Sequence, residues 1–128
     1  MACLLHYILK NQCARDAERA RNINREDKMK IGIVKEIKEC EYRVAAVPSA
    51  VTELTRRGHQ VYVEQGAGVG SGYSDADYQA AGAEIFTDAA DVWNQVDMIY
   101  KVKEIFPEEF QYLREDLIVF TYIHSNAH

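Results

Sequence analysis

The sequence predicts one α/β domain, a parallel β-sheet flanked by helices on both faces. Three observations lead there. From Met29 onward, strand-like apolar runs alternate with helix-like segments, and the links between them are short. The run 117–123 is apolar at nearly every position, as a strand buried on both sides must be. The length, 128 residues, is that of a single domain and buries enough surface to need no disulfide or metal.

Each element follows from its own residues. Residues 30–35, Lys-Ile-Gly-Ile-Val-Lys, read as a first strand. A helix is predicted from Pro48 to Gly58, with proline in its first turn, Val51, Leu54 and Thr55 at helical spacing, and glycine as its stop. Residues 60–64 form a second strand, followed by a loop with glycine at 66, 68, 70 and 72. Ser74 is a plausible N-cap for a helix through Tyr78 and Ala81, with Asp77 as the carboxylate of its third position. Residues 83–86 give a short strand, and a helix with Val92 and Trp93 begins at Asp88. A fourth strand is predicted over 97–103, a short helix over 107–113 and a last strand over 117–123.

Residues 1–28 differ from the rest. They carry a net charge of +2, whereas 29–128 carry −7. Leu5, Leu9, Cys13 and Ala17 recur every fourth position, which allows a weak amphipathic helix; a leader ahead of a start at Met29 explains the segment equally well. This N-terminal extension carries no nameable chemistry, so the domain is expected to occupy 29–128.

Composition narrows the function. Twenty acidic residues against fifteen basic ones argue against nucleic acid or an anionic membrane as partner. Cys3, Cys13 and Cys40 form no CxxC pair, so neither a zinc site nor a disulfide framework is expected, and a reducing cytoplasmic setting fits. The apolar run 4–9 is broken by His6, lacks a basic lead and is too short for a signal or a membrane span.

In an open parallel sheet, ligands bind beyond the carboxyl ends of the strands. Three kinds of group collect there: Arg43 after the first strand, Lys101 and Lys103 at the end of the fourth, and His124 after the last. Arginine offers a rigid fork for a carboxylate, lysine a point charge, and histidine a proton carrier near neutral pH. Together they would suit a small oxoacid. Taken singly, each has a plain alternative: a solvated arginine, lysines alternating on one wet strand face, a structural histidine. His59 and His128 look unremarkable. The glycine loop fails as a dinucleotide fingerprint, because starting from Gly66 the third glycine position is Ser71, and starting from Gly68 it is Tyr73.

From Met29 onward the chain resembles the N-terminal part of the alanine dehydrogenase and nicotinamide nucleotide transhydrogenase family. The matching stretches are 30–36 (KIGIVKE), 41–45 (EYRVA), 57–64 (RGHQVYVE), 66–71 (GAGVGS), 81–83 (AGA), 101–104 (KVKE) and 120–124 (FTYIH). The resemblance implies a Rossmann-like or flavodoxin-like substrate domain. Arg43 and Lys103 would bind the substrate carboxylate or oxo group, and His124 would be the acid/base partner, with Lys103 sharing in catalysis. The second lysine and the histidine favour the alanine dehydrogenase branch over the transhydrogenase one. Ile105 departs from the proline usual after KVKE, and 125–128 (SNAH) from the apolar-small run usual after the histidine, so another amino acid or oxoacid is an open substrate.

The resemblance further implies NAD as cofactor of the complete enzyme, pyruvate or L-alanine as substrate, and a homo-oligomer. NAD would be held by a Rossmann domain outside these residues, so the chain alone is expected to bind no cofactor and to be inactive. The alternative is a binding or assembly module that kept the fold without the chemistry.

Overall fold

The structure, a computed structural model, describes residues 28–123. The extension considered over 1–28 lies outside the described residues except for Lys28, and His124 and His128 lie outside them as well. Five strands form one all-parallel sheet: β1 Lys30–Ile33, β2 Gln60–Glu64, β3 Glu84–Phe86, β4 Met98–Tyr100 and β5 Ile118–Phe120. Their order across the sheet is β3-β2-β1-β4-β5. The helices are α1 Pro48–Arg56, α2 Asp75–Ala80 and α3 Ala89–Gln95, with short 3-10 turns at Val69–Ser71 and Pro107–Tyr112.

Period-two alternation divides the core between two faces. Ile33, Val61 and Val63 pack with Val51 of α1 and Tyr78 of α2 on one side. Val34 and Ile99 pack with Val92, Trp93 and Val96 on the other, where Trp93 stacks on Tyr112 at 5.6 Å between ring centroids. The chain builds β1, β2 and β3 toward one edge, then returns beside β1 to build β4 and β5 toward the other. Parallel crossovers are right-handed, so progress toward opposite edges puts the connecting helices on opposite faces. The reversal makes the gap between β1 and β4 the switch point of the sheet, where ligands of open α/β folds bind.

Local chemistry matches expectation at several places. Pro48 opens α1, and Gly58 follows it at φ +93°, a left-handed turn that glycine adopts without a Cβ clash. Ser74 caps α2 in a closed box: its Oγ accepts the Asp77 N–H at 3.2 Å, and Asp77 Oδ2 accepts the Ser74 N–H at 2.7 Å.

The strands are shorter than the apolar runs suggest, and the run 117–123, expected as a strand buried on both sides, forms only β5 at the sheet edge, where Ile118 and Phe120 are exposed because β4 alone flanks it. After Tyr100 the ladder makes one more bond, Lys101 N–H to the Phe120 carbonyl at 3.0 Å. The next donor, Val102 N–H, goes instead to the Glu36 carboxylate at 2.6 Å, which ends β4 three residues before the predicted boundary. Likewise β1 stops at Ile33, and Lys35 N–H is taken by Glu64 Oε2 at 2.7 Å. The segment 107–112 winds as a 3-10 turn and not as an α-helix.

Candidate functional site

Register brings the candidate segments together. Ile33 pairs with Tyr100, and Tyr100 with Phe120, each the last residue of its strand. Three chain segments therefore leave the sheet level with one another at its switch point. One begins at Val34 and carries Arg43, one begins at Lys101 and carries Lys103, and one begins at Thr121. Thr121 Oγ1 donates to the Lys103 carbonyl at 2.6 Å, which ties the third segment to the second.

The two lysines have different fates. Lys101 is fully buried between Glu36, 3.5 Å from its Nζ, and Glu109, which accepts a hydrogen bond from that Nζ. Lys103 turns to Glu41, 3.7 Å from its Nζ. The plain alternative, two lysines alternating on one wet strand face, therefore does not hold. Alternation holds only inside a strand, and β4 ends at Tyr100 before either lysine. Lys101 is a buried structural cation that joins the ends of β1 and β4 to the 107–112 turn.

Arg43 and Lys103 meet through one carboxylate. Glu41 accepts from Arg43 Nε at 2.8 Å, from Arg43 Nη2 at 2.7 Å and from the Arg43 backbone N–H at 3.0 Å. The Arg43 side chain is 66% exposed, whereas those of Lys103 and Glu41 are 17% and 8% exposed. The side-chain bonds from Arg43, then its backbone bond, hold the Glu41 carboxyl down at about 2, with Lys103 adding to the effect; the same pairing raises Arg43. Both groups stay charged at any physiological pH.

Arg43 also lines a cavity of 630 Å³ together with Ser71, Tyr100, Phe120, Thr121 and Tyr122. Tyr100 and Phe120 meet edge to face, 5.2 Å between ring centroids. The cavity thus has a cation at its rim and aromatic walls, a setting for a small molecule with one anionic end and one apolar end. Lys103 does not line it. His124 lies just past the last described residue, Ile123, so its placement is outside the described residues.

The glycine loop has a use that its sequence did not disclose. A Cβ on Gly70 would stand 2.8 Å from the Tyr42 carbonyl oxygen, and Ser71 Oγ donates to that same carbonyl at 2.9 Å. A Cβ on Gly68 would run into the Tyr78 ring. These positions are glycine because the loop presses against the Tyr42–Arg43 segment and α2. Gly68 and Gly70 thus form a brace behind Arg43, whereas nothing lies within 4 Å of a Cβ placed on Gly66 or Gly72. Glu41 and Ser71 are the two site residues to which sequence reasoning gives no role: Glu41 is placed after the first strand and Ser71 is met only as a non-glycine. The available signal for both was adjacency to candidates, Glu41 two residues before Arg43 and Ser71 at the failed fingerprint position.

An open all-parallel sheet with helices on both faces, and an arginine, a lysine and a small aromatic-walled cavity at its switch point, defines the class: an open α/β domain. The match to known proteins makes this specific: the family described as "Alanine dehydrogenase/PNT, N-terminal domain" covers residues 32–128, and the chain belongs to that family. Among relatives, an alanine dehydrogenase of Staphylococcus saprophyticus is 56% identical over 96 residues, 75% of this chain and 26% of that protein. An alanine dehydrogenase of Bacillus subtilis is 51% identical over 99 residues, 77% of this chain and 26% of that protein. A solved L-alanine dehydrogenase superposes with TM-score 0.73 at 45% identity, over 75% of this chain and 26% of the other. A transhydrogenase from Sinorhizobium meliloti does so with TM-score 0.69 at 34% identity, over 73% and 27%. The chain spans about a quarter of the length of the curated relatives it matches. Among the described residues, no helix is long and apolar enough to cross a membrane.

Proposed function

We propose that residues 29–128 are the substrate-binding domain of an NAD-dependent L-alanine dehydrogenase. The overall reaction would convert L-alanine, NAD and water to pyruvate, ammonium and NADH, with release of a proton. NAD is the hydride acceptor when bound, and it would be held by further chain of the kind the relatives possess, since the glycine loop here lacks the dinucleotide fingerprint. The residues of this chain do the rest of the recognition. Arg43 receives the substrate carboxylate in its planar fork, Lys103 places a second positive charge beside it, and His124 holds or moves the proton on the substrate nitrogen or oxygen. Tyr100 and Phe120 would enclose the apolar methyl end.

The single observation that carries this reading is the convergence of Arg43 and Lys103 on one carboxylate at the switch point, beside the 630 Å³ cavity. An anion already sits between these two cations, in the form of Glu41, so the pair has the spacing to hold a carboxylate. The departure of the loop sequence from the dinucleotide fingerprint supports the further proposal that the chain alone neither binds NADH nor turns over alanine. The exposed Ile118 and Phe120 on the edge strand β5 support a homo-oligomer or docking against further chain, and the exposed free Cys40 suits a reducing cytoplasm.

The test is a pyruvate titration of the 128-residue chain, followed at the NMR signals of Arg43, Lys103 and His124. Saturable shifts confined to these residues are expected. A non-catalytic assembly module of the same fold predicts no response, and that outcome would sink the substrate-site assignment.

A further inference from the structure

Glu41 is the least explained member of the proposed site. It is a half-buried residue whose carboxylate takes three hydrogen bonds from the exposed Arg43, and it is the anion shared with Lys103. A guanidinium has two edges that can grip a carboxylate, one made by Nε with one Nη and one made by the two Nη groups. Glu41 occupies the Nε–Nη2 edge, and among the described residues no hydrogen bond uses Arg43 Nη1. The outer edge is the one left for a ligand, and Arg43 lines the cavity.

The charge count has a consequence for selectivity. Two cations sharing one carboxylate leave a single net positive charge. The neighbours do not add to it: Lys101 is outweighed by Glu36 and Glu109, and Lys38 pairs with Glu104 at 3.6 Å. A monocarboxylate meets that single charge. A dicarboxylate of similar size brings a second negative charge close to the Glu41 carboxylate, with no further unmatched lysine or arginine among the described residues of the site to receive it.

We infer that Glu41 is a positioning and specificity residue: it presents the outer edge of Arg43 to the cavity and makes the site select monocarboxylate over dicarboxylate oxoacids. The inference rests on the substrate-site reading of Arg43 and Lys103. Its role is exerted through the two cations, without contact to the reacting atoms.

The test compares pyruvate, a monoanion, with ketomalonate, in which a second carboxylate replaces the methyl group. Dissociation constants are measured on the 128-residue chain by NMR at the Arg43 and Lys103 signals. The wild type should bind pyruvate more tightly. Glu41→Gln, which keeps the shape and removes the charge, should shift the ratio toward ketomalonate by about tenfold or more, as expected for one unit charge a few ångströms away at the surface. Glu41→Asp, which keeps the charge, should keep the wild-type preference, an outcome that a merely structural role would not produce. The wild-type comparison needs no variant and overturns the inference by itself if ketomalonate binds more tightly. If pyruvate binds but Glu41→Gln leaves the ratio unchanged, only the role of Glu41 falls. If neither oxoacid moves the wild-type signals, the substrate-site reading falls and the role of Glu41 with it.

Discussion

Glu36 and Lys101 fasten the ends of β1 and β4 to each other: Oε2 of Glu36 lies 3.5 Å from Lys101 Nζ, while its Oε1 accepts the Val102 N–H at 2.6 Å. Both side chains are essentially closed to water, and Glu109 completes the cluster from the 107–112 turn. The contact both ends a strand and closes the sheet beneath the proposed site.

Removing the cation from this cluster should therefore be costly. Lys101→Met leaves two buried carboxylates without their partner, a change worth roughly 3–5 kcal/mol in comparable buried pairs. Urea unfolding of the variant should show that loss. A loss below about 1 kcal/mol would mean that water or another group already screens the cluster.

The brace behind Arg43 makes a second prediction. In Gly70→Ala the new methyl meets the Tyr42 carbonyl, which is backbone and must move for it to fit. Overpacking of this kind costs about 1–3 kcal/mol. Amide shifts at Tyr42 and Arg43 and weaker pyruvate binding should accompany it. Ser71→Ala removes only the hydroxyl donor and should cost about 0.5–1.5 kcal/mol. Unchanged Tyr42 and Arg43 amide signals in both variants would remove the brace.

On the proposed function, roles within the site should separate kinetically once this domain is joined to a cofactor domain like that of the relatives. Arg43→Lys keeps the charge and loses the fork, so KM for alanine and pyruvate should rise by about tenfold or more with a smaller change in kcat. His124→Ala should act mainly on kcat, lowering it by about 10²–10⁴-fold as expected for a lost general acid/base. Wild-type-like steady-state kinetics in both would contradict the assignment.

Acid sensitivity follows from the depressed carboxyls. Glu41 is held at about 2 by its bonds from Arg43, against an ordinary value of 4.5, and Asp77 is lowered by its bonds from Ser74. A carboxyl whose value is lower in the folded state adds stability above its unfolded value, and that stability is lost as pH falls toward the folded one. For Glu41 the window runs from about pH 4.5 down to about 2. Glu64 works in the opposite sense: burial raises it, so its contribution improves as pH falls. Circular dichroism across this window should show wild-type stability falling with a steeper slope than Glu41→Gln. Identical slopes would count against the strength of the Glu41–Arg43 pairing.

Much of this was legible along the chain. The alternation of apolar runs with capped helical segments determined a parallel α/β domain, because a strand buried on both faces and a helix buried on one leave different periodicities. The Ser74–Asp77 box, the Pro48 start and the Gly58 stop were visible because capping is settled within a few residues. Arg43 and Lys103 could be named as candidates because each follows a predictable strand.

Only the tertiary structure decided which groups meet. The sheet order β3-β2-β1-β4-β5 puts segments some 60 residues apart side by side, and nothing within either segment encodes its neighbour. That pairing takes the Val102 N–H from the ladder to Glu36, buries Lys101 and frees Lys103 to face Glu41, while tertiary contact packs Gly68 and Gly70 of the failed fingerprint into a brace. Periodicity reports which face of an element is buried; which side chain neutralises a buried charge depends on contacts between segments distant in sequence, and those exist only once the chain has folded.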